Sequence, residues 1–370
     1  MKRVGIITMH RPISFGSSLQ AYALQKKIND LGYDCEIIDY QYPNKLHKAG
    51  QNKLKLFISY TIHYIINLFF GLPCLVEAIR FKNFRRKHLK LSKYYKDAKS
   101  LVDNPPVYDI YCTGSDQVWN SNFTKSDTSF LLSFIEGKKK IAYASSFAVD
   151  YVIEEYKDDY KKYLLQYDSI TVRENSGIKL VEELTGKKAV QVCDPTLLLR
   201  EDEWLPLIKE SKIKIEKPYL LVFILAYSYN PYPEVNHIIE TIQKKLGLHT
   251  IVLSGTKADY LRKDTTVIKN AGPNEFLYLF KNASFIITSS FHGVAFATNF
   301  KIPFYAIIKD GNADTRLIST LKILGLEDRV LKYNQNIINI EIIKDMNFSK
   351  RLELFRIHSL QHLSKSLFDV

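Results

Sequence analysis

Acidic residues are the first shortage in this chain. Asp and Glu number 39 against 52 Lys and Arg in 370 residues, a formal net charge of +13 at pH 7. Such an excess favours an acidic partner: nucleic acid, anionic lipid, or a phosphorylated or carboxylated substrate. The patterns that would decide for nucleic acid are missing. No helix-turn-helix, zinc-finger or RNP-like motif is present, and the basic residues are spread out apart from one dense cluster, FKNFRRKH at 81–88. Cysteine is scarce too. Cys35, Cys74, Cys112 and Cys193 lie far apart, with no metal-ligand or redox spacing among them. Cys35, Cys112 and Cys193 fall in apolar strand-like runs, which suits buried thiols in a reducing compartment.

Long hydrophobic runs are also lacking. The most apolar segment, 56–79, is broken by His63, Asn67, Pro73 and Glu77. Its uncharged stretch is roughly a dozen residues, whereas a spanning helix needs about 20. It reads as an interfacial or buried helix. The basic cluster that follows suits an anionic lipid surface, and a helical excursion packed on its own domain fits as well. Met1-Lys2-Arg3 runs straight into a strand without a signal-peptide core, so a cytoplasmic location is expected. No GxGxxG fingerprint supports NAD or FAD. No Asp-x-Asp pair and no His/Asp/Glu cluster has metal spacing, so no obligatory metal is expected. No internal repeat or low-complexity run is evident.

What is present is an α/β pattern too long for one ordinary core, and two domains are the expectation. Residues 4–8 (VGIIT) read as a buried parallel strand, 10–18 as a polar loop containing Gly16 and Ser17, and the following stretch as a helix closed by Gly32. A second strand at 35–40 completes a β-α-β unit. After a helical excursion over 54–91, strands at 109–113, 140–144, 169–172 and 189–192 each end in polar residues. That repetition places one rim of a parallel sheet at a site. The charged stretch 200–217 reads as a linker. A second α/β set follows, with strands at 219–225, 250–253, 285–288 and 303–308, helices at 233–246, 273–281 and 315–324, and an amphipathic helical tail from 348.

The most informative segment is FIITSSFHGVAFATNF at 285–300. A buried strand runs into Ser289-Ser290 and then a helix carrying His292-Gly293 in its first turn. Helix starts offer free N–H groups and a positive dipole end to anions. A histidine there is placed to move a proton to or from an anionic ligand, or else packs beside a capped helix start.

These segments together resemble the polysaccharide pyruvyl transferase family. The resemblance is carried in order by VGIITMHRPISFGSSLQAYALQKKINDLGYDCEIIDY, TGSDQVWN, ASSF, TVRENSG, CDPTLLL and GPNEFLYLFKNASFIITSSFHGVAFATNFKIPF. It covers nearly the whole length. Two departures stand out: Ser14-Phe15-Gly16 replaces the family's frequent Asn-(Tyr/Phe)-Gly, and Ser290 stands where some members carry arginine, leaving open which cation replaces it.

The resemblance implies an α/β fold with two Rossmann-like domains facing a cleft, GT-B-like, and a C-terminal helix crossing back to the first domain. The expected division is 1–200 on the acceptor side, 201–347 on the phosphoenolpyruvate (PEP) side, and 348–370 as the returning helix. The implied activity is transfer of pyruvate from PEP to a sugar of a cell-surface polysaccharide precursor, giving a cyclic ketal and phosphate. PEP is the donor substrate, and no cofactor is implied. The acceptor is a glycan, with a lipid-pyrophosphate-linked oligosaccharide and contact with the inner membrane face as one version.

PEP carries a phosphate and a carboxylate, so its site needs cations and N–H donors. His292 is the expected acid/base. Arg173, matching the family's Arg-Glu motif, is assigned to the phosphate or carboxylate, the alternative being a surface arginine paired with Glu174. Arg316, at a helix start that normally prefers acids, suggests an anion ligand or a solvated side chain. Ser289 and Ser290 fit phosphate donors or helix caps. Ser115 and Asp116 look like acceptor or base residues, with Asp116 equally suited to capping its own turn. Gly16, Ser17 and Gly293 complete the expected binding set, Gly16 doubling as a simple turn glycine. Asp194 reads as a structural link. A nucleotide-sugar glycosyltransferase of the same architecture is the competing enzyme. A glycan-binding protein with a retired site is the non-enzymatic alternative.

Overall fold

In a computed structural model of the chain, residues 1–44, 46–47, 72–225, 230–254, 259, 262–309, 315–334 and 348–368 are described. The short apolar runs become parallel strands. In the first sheet these are β1 (Arg3–Ile7), β2 (Asp34–Tyr40), β3 (Leu91–Tyr95), β4 (Ile110–Thr113), β5 (Lys139–Ser145), β6 (Ser169–Val172) and β7 (Val190–Gln191). Their order is β3-β2-β1-β4-β5-β6-β7. In the second sheet they are β8 (Tyr219–Phe223), β9 (His249–Leu253), β10 (Thr265–Ile268), β11 (Phe285–Thr288), β12 (Phe304–Ile308) and β13 (Val330–Lys332), in the order β10-β9-β8-β11-β12-β13. Strands covered on both faces are apolar throughout, which is why these runs do not alternate.

Both sheets are therefore doubly wound and Rossmann-like, as expected. In each, the strand order reverses once, between β1 and β4 in the first and between β8 and β11 in the second. At such a reversal the loops leaving the carboxyl ends of two neighbouring strands diverge and open a crevice, where ligands bind in this architecture. The pairings put Ile7 beside Thr113 and Phe223 beside Thr288, so the crevice-forming loops begin at these four residues.

The chain divides into two units. Met1–Leu72, Phe81–Leu199 and Leu354–Val370 form the first, and Pro73–Arg80 with Arg200–Glu353 the second. The core of the first unit is aromatic, with Trp119 in edge contact with Tyr167 at 5.9 Å and tilted against Phe147 at 5.3 Å. The second unit has buried aromatics too, Phe276 stacking on Phe280 at 4.2 Å, and a mainly aliphatic layer. Val235, Ile238, Ile239 and Ile242 recur along one face of the helix Val235–Leu246 and cover Leu220, Val222, Val252, Phe285 and Ile287 of the sheet. The helix Ser349–Phe368 ends on the first unit, as the fold reading required. There Ser366 and Ser169 share a hydroxyl hydrogen bond of 2.7 Å, and the Cys193 N–H donates to Ser359 Oγ at 2.9 Å.

Several elements differ from expectation. The first helix, Phe15–Asp30, starts earlier than the polar loop suggested, because Ser14 caps it through a 3.3 Å bond from the Ser17 N–H. Gly16 and Ser17 are thus helical. The supposed linker contains the helix Glu201–Lys209, anchored by fully buried Trp204 against Phe296 with ring centroids 5.2 Å apart. The end of the expected helical excursion is the helix Leu72–His88, and β3 follows at once. Residues 54–71 of that segment lie outside the described residues, and among the described ones no helix is long and apolar enough to cross a membrane. Cys35, Cys112 and Cys193 are buried free thiols, and burial pushes the Cys112 and Cys193 thiols up to about 12.

Candidate active site

The candidate residues of the first unit gather where β1 and β4 diverge. β4 leaves through Gly114-Ser115-Asp116. Close packing forces glycine first, since a Cβ on Gly114 would lie 2.9 Å from Ile6 Cγ2 and 3.0 Å from Thr8 Cβ. Asp116 then takes a φ of 81°, a left-handed value that a non-glycine residue holds only when its surroundings fix it. Two bonds do so. Asp116 Oδ1 accepts the Gln117 N–H at 2.8 Å, and Oδ2 accepts the Ser17 hydroxyl at 2.5 Å. The turn-capping role and the contact across the crevice are therefore both real. Ser17 sits in the first turn of its helix, so that turn is tied directly to the exit of β4.

Arg173, immediately after β6, is 1% exposed. Its Nη1 donates to Asp194 Oδ2 at 2.7 Å, and Nη2 lies 3.8 Å from Asp116 Oδ1. It is not a surface arginine. Glu174, fully buried, accepts from the Ser146 hydroxyl and from the Phe147 and Ala148 N–H groups through Oε1, holding the exit of β5 at 2.9–3.0 Å. Ser115 is also fully buried, its Oγ 3.0 Å from Asp194 Oδ2 and 2.9 Å from the Ala144 carbonyl. Asp194 further caps Pro195–Leu198 through Thr196. Sequence reasoning gave Asp194 only a linking role and named Glu174 only as the partner of a surface Arg173. Both are acids at the ends of apolar runs, and an acid so placed needs an internal partner.

A second cluster lies on the same rim, at the ends of β1 and β2. Asp39 accepts from His10 Nε2 at 2.9 Å and from Arg11 Nε and Nη2 at 2.7 and 2.6 Å. Burial pushes the Asp39 carboxyl up, but the hydrogen bonds from His10 and Arg11 outweigh it and hold the group down at about 2.

The candidates of the second unit gather at the exit of β11. Ser290 is the N-cap of the helix Phe291–Asn299, its Oγ accepting the Gly293 N–H at 3.3 Å, and its own N–H donates to Thr288 Oγ1 at 3.1 Å. Ser289 Oγ accepts the Leu225 N–H at 2.8 Å and so binds the exit of β8 to that of β11. Gly293 has a packing reason to be glycine, since a Cβ there would lie 2.2 Å from Thr288 Oγ1. His292 is half-buried in the first turn, in edge contact with Phe291 at 5.2 Å. Arg316, from the helix Thr315–Leu324, lays its guanidinium carbon 5.7 Å from the centre of the same Phe291 ring. Residues 310–314, which lead into that helix, lie outside the described residues.

The structure thus brings together His292, Ser289, Ser290, Gly293 and Arg316 in one unit, and Gly16, Ser17, Ser115, Asp116 and Arg173 in the other. The His292 set offers N–H groups at a helix start, an arginine and a proton carrier, which suits an anion. The Asp116 set offers a carboxylate gripping a hydroxyl, which suits a neutral polyol. Among the described residues no group of three or more His, Cys, Asp or Glu side chains could hold a metal ion.

A family model described as polysaccharide pyruvyl transferase matches residues 15–310 of the chain. No curated protein matches significantly. Among solved structures, a protein described as a UDP-N-acetylglucosamine 2-epimerase from Listeria monocytogenes superposes with a TM-score of 0.52 at 10% identity, over 98% of this chain and 90% of that one. The UDP-GlcNAc 2-epimerase of Methanocaldococcus jannaschii, in complex with UDP-GlcNAc and UDP, gives 0.51 at 14% identity, over 96% and 93%. At these identities the likeness concerns the fold alone.

Proposed function

The chain belongs to the polysaccharide pyruvyl transferase family, and on that premise we propose that it transfers pyruvate from PEP to a sugar of a cell-surface polysaccharide precursor, closing a cyclic ketal and releasing phosphate. The observation that carries this reading is the β11 exit, where His292, the Ser290-capped helix start and Arg316 meet around Phe291. PEP would bind there, its charges met by Arg316 and the helix-start N–H groups.

His292 would deliver a proton to the methylene carbon, leaving an oxocarbenium-like centre at C2. A sugar hydroxyl adds to C2 and gives up its proton. The C–O bond to phosphate then breaks, phosphate leaves with the bonding pair, and a second hydroxyl closes the ketal. Two hydroxyl protons are lost, one replacing that taken up by the methylene carbon and one leaving on phosphate. Asp116 is assigned as base and hydroxyl ligand, with Ser17 marking where an acceptor hydroxyl would sit. Arg173 acts through Asp116 and Asp194, as a positioning residue. No resident metal enters this scheme, and activity is expected to survive EDTA.

The test is phosphate release from PEP by the purified protein with a panel of galactosides, mannosides and lipid-linked oligosaccharides, beside His292→Ala. Acceptor-dependent release that disappears in the variant, with an acceptor mass gain matching a pyruvate ketal, is expected. Thermal stabilisation by UDP, GDP or CMP with no response to PEP would move the protein to the nucleotide-sugar glycosyltransferases.

A further inference from the structure

The helix Leu72–His88 carries apolar residues on two opposite faces, and one of those faces is packed. Phe81 lies against Phe15 with ring centroids 5.3 Å apart, and Phe84 and His88 each lie 6.2 Å from Tyr22. Residues 81, 84 and 88 share one side of a helix with 3.6 residues per turn, so these contacts fix the inward face. The single acid of the helix, Glu77, precedes Phe81 by four residues and belongs to that face, where burial pushes its carboxyl up to about 7.

The opposite face is open. Leu75 and Ile79 are 57% and 47% exposed, and the exposed Lys82 and Arg86 continue the same line at spacings of three and four. Asn83 and Lys87 flank that line and are exposed too. From Leu75 to Lys87 the face thus runs from apolar to cationic, and none of these residues is an acid. One exposed leucine is ordinary, whereas two apolar side chains on adjacent turns that lead into three cations form a patch. Complementing the helix dipole accounts for cations in the last turn, where Arg86 and Lys87 lie. It does not account for Lys82, a turn earlier, or for the exposed Leu75 and Ile79. The whole face is matched by a partner with an apolar layer beneath an anionic one, which is the order of a bilayer with acidic headgroups.

We propose that the outward face of the helix Leu72–His88 docks the protein on an anionic phospholipid surface. Leu75 and Ile79 enter the boundary between headgroups and acyl chains, and the long side chains of Lys82, Arg86 and Lys87 reach the lipid phosphates. The docking face does not depend on the pyruvyl-transfer reading.

The experiment is co-sedimentation of the full chain with phosphatidylcholine vesicles, with and without phosphatidylglycerol. It is repeated on the triple variant Lys82→Gln/Arg86→Gln/Lys87→Gln and on the double variant Leu75→Ser/Ile79→Ser. A control, Lys157→Gln/Lys161→Gln/Lys162→Gln, removes three exposed cations from another helix, Lys157–Leu164. Binding is expected only to the vesicles that contain phosphatidylglycerol, and it should weaken as salt rises. Each basic residue near such a surface is worth about a fivefold gain in partitioning, so the triple variant should bind at least about tenfold more weakly. The double variant should lose at least about fivefold, and the control less than about threefold. All the substituted side chains are exposed, so melting temperatures should not move. No binding to either vesicle overturns the proposal. So does a control that loses as much as the triple variant, which would make the attraction one of net charge, and so does unchanged binding by the double variant. Light scattering tests the other occupant: a dimer that the double variant breaks would assign the face to a second copy of this chain and overturn lipid docking.

Discussion

Asp116 joins a strained turn and a contact to the first helix in one residue of the first unit. Its φ of 81° costs about 1–3 kcal/mol of backbone strain, borne because the turn aims the carboxylate at Ser17. Asp116→Asn keeps the shape and removes the charge. We expect kcat to fall at least about a hundredfold, with PEP affinity unchanged by calorimetry. Arg173→Lys loses the planar fork that spans Asp194 and Asp116, and should lower kcat while leaving the KM for PEP alone. A large rise in that KM would instead make Arg173 a direct PEP ligand. Asp39 gives a prediction in pH. Its carboxyl is held at about 2 when folded against an ordinary 3.8, so its contribution is complete above about pH 4 and is lost as pH falls towards 2. The shift is worth at most about 2 kcal/mol. Urea unfolding of wild type and Asp39→Asn should show a stability gap at pH 6 that narrows across that window.

At the scale of elements, the β11 exit depends on contact between a strand and the helix that follows it. Gly293→Ala should destabilise the protein by about 1–3 kcal/mol in urea, because the added methyl meets Thr288, and pairing it with Thr288→Ala should recover part of the loss. Ser290→Ala removes the cap and should cost about 1 kcal/mol. These elements were legible beforehand. FIIT, SS and FHG announce a buried strand, a cap and a helix start, and Gly272-Pro273-Asn274-Glu275 announces a helix whose Glu275 accepts the Gly272 N–H at 2.9 Å. β10 and β13 were not. Thr265–Ile268 has two threonines and a part-exposed face, and Val330–Lys332 is three residues long, so each is a strand by virtue of its neighbour. The partners of Arg173 were hidden for a related reason. Asp194 and Asp116 lie 21 and 57 positions away in sequence and meet Arg173 only at the sheet rim. Local pattern shows which residues leave a strand end but not which of them touch.

At the scale of the whole molecule, two sheets with the same winding each carry their candidate residues where the strand order reverses. The units also draw on distant sequence. Pro73–Arg80 joins the second unit, where Arg80 Nη1 donates to the Asn270 carbonyl at 2.6 Å, and Leu354–Val370 joins the first. Ser359→Val should therefore weaken the first unit, because its hydroxyl both accepts the Cys193 N–H and donates to the Phe355 carbonyl at 2.6 Å. A loss of about 1–3 kcal/mol is expected. Hydrogen exchange should place the lost protection around β6, β7 and Cys193.

The returning helix also sets an order of manufacture. A ribosome releases Ser169 and Cys193 long before it makes Ser359 and Ser366, their partners on the helix Ser349–Phe368. The second unit, whose last residue is Glu353, is therefore fully synthesised while the first still waits for its final helix. A premature stop near residue 348 would spare most of the later half of the protein and injure the half translated first.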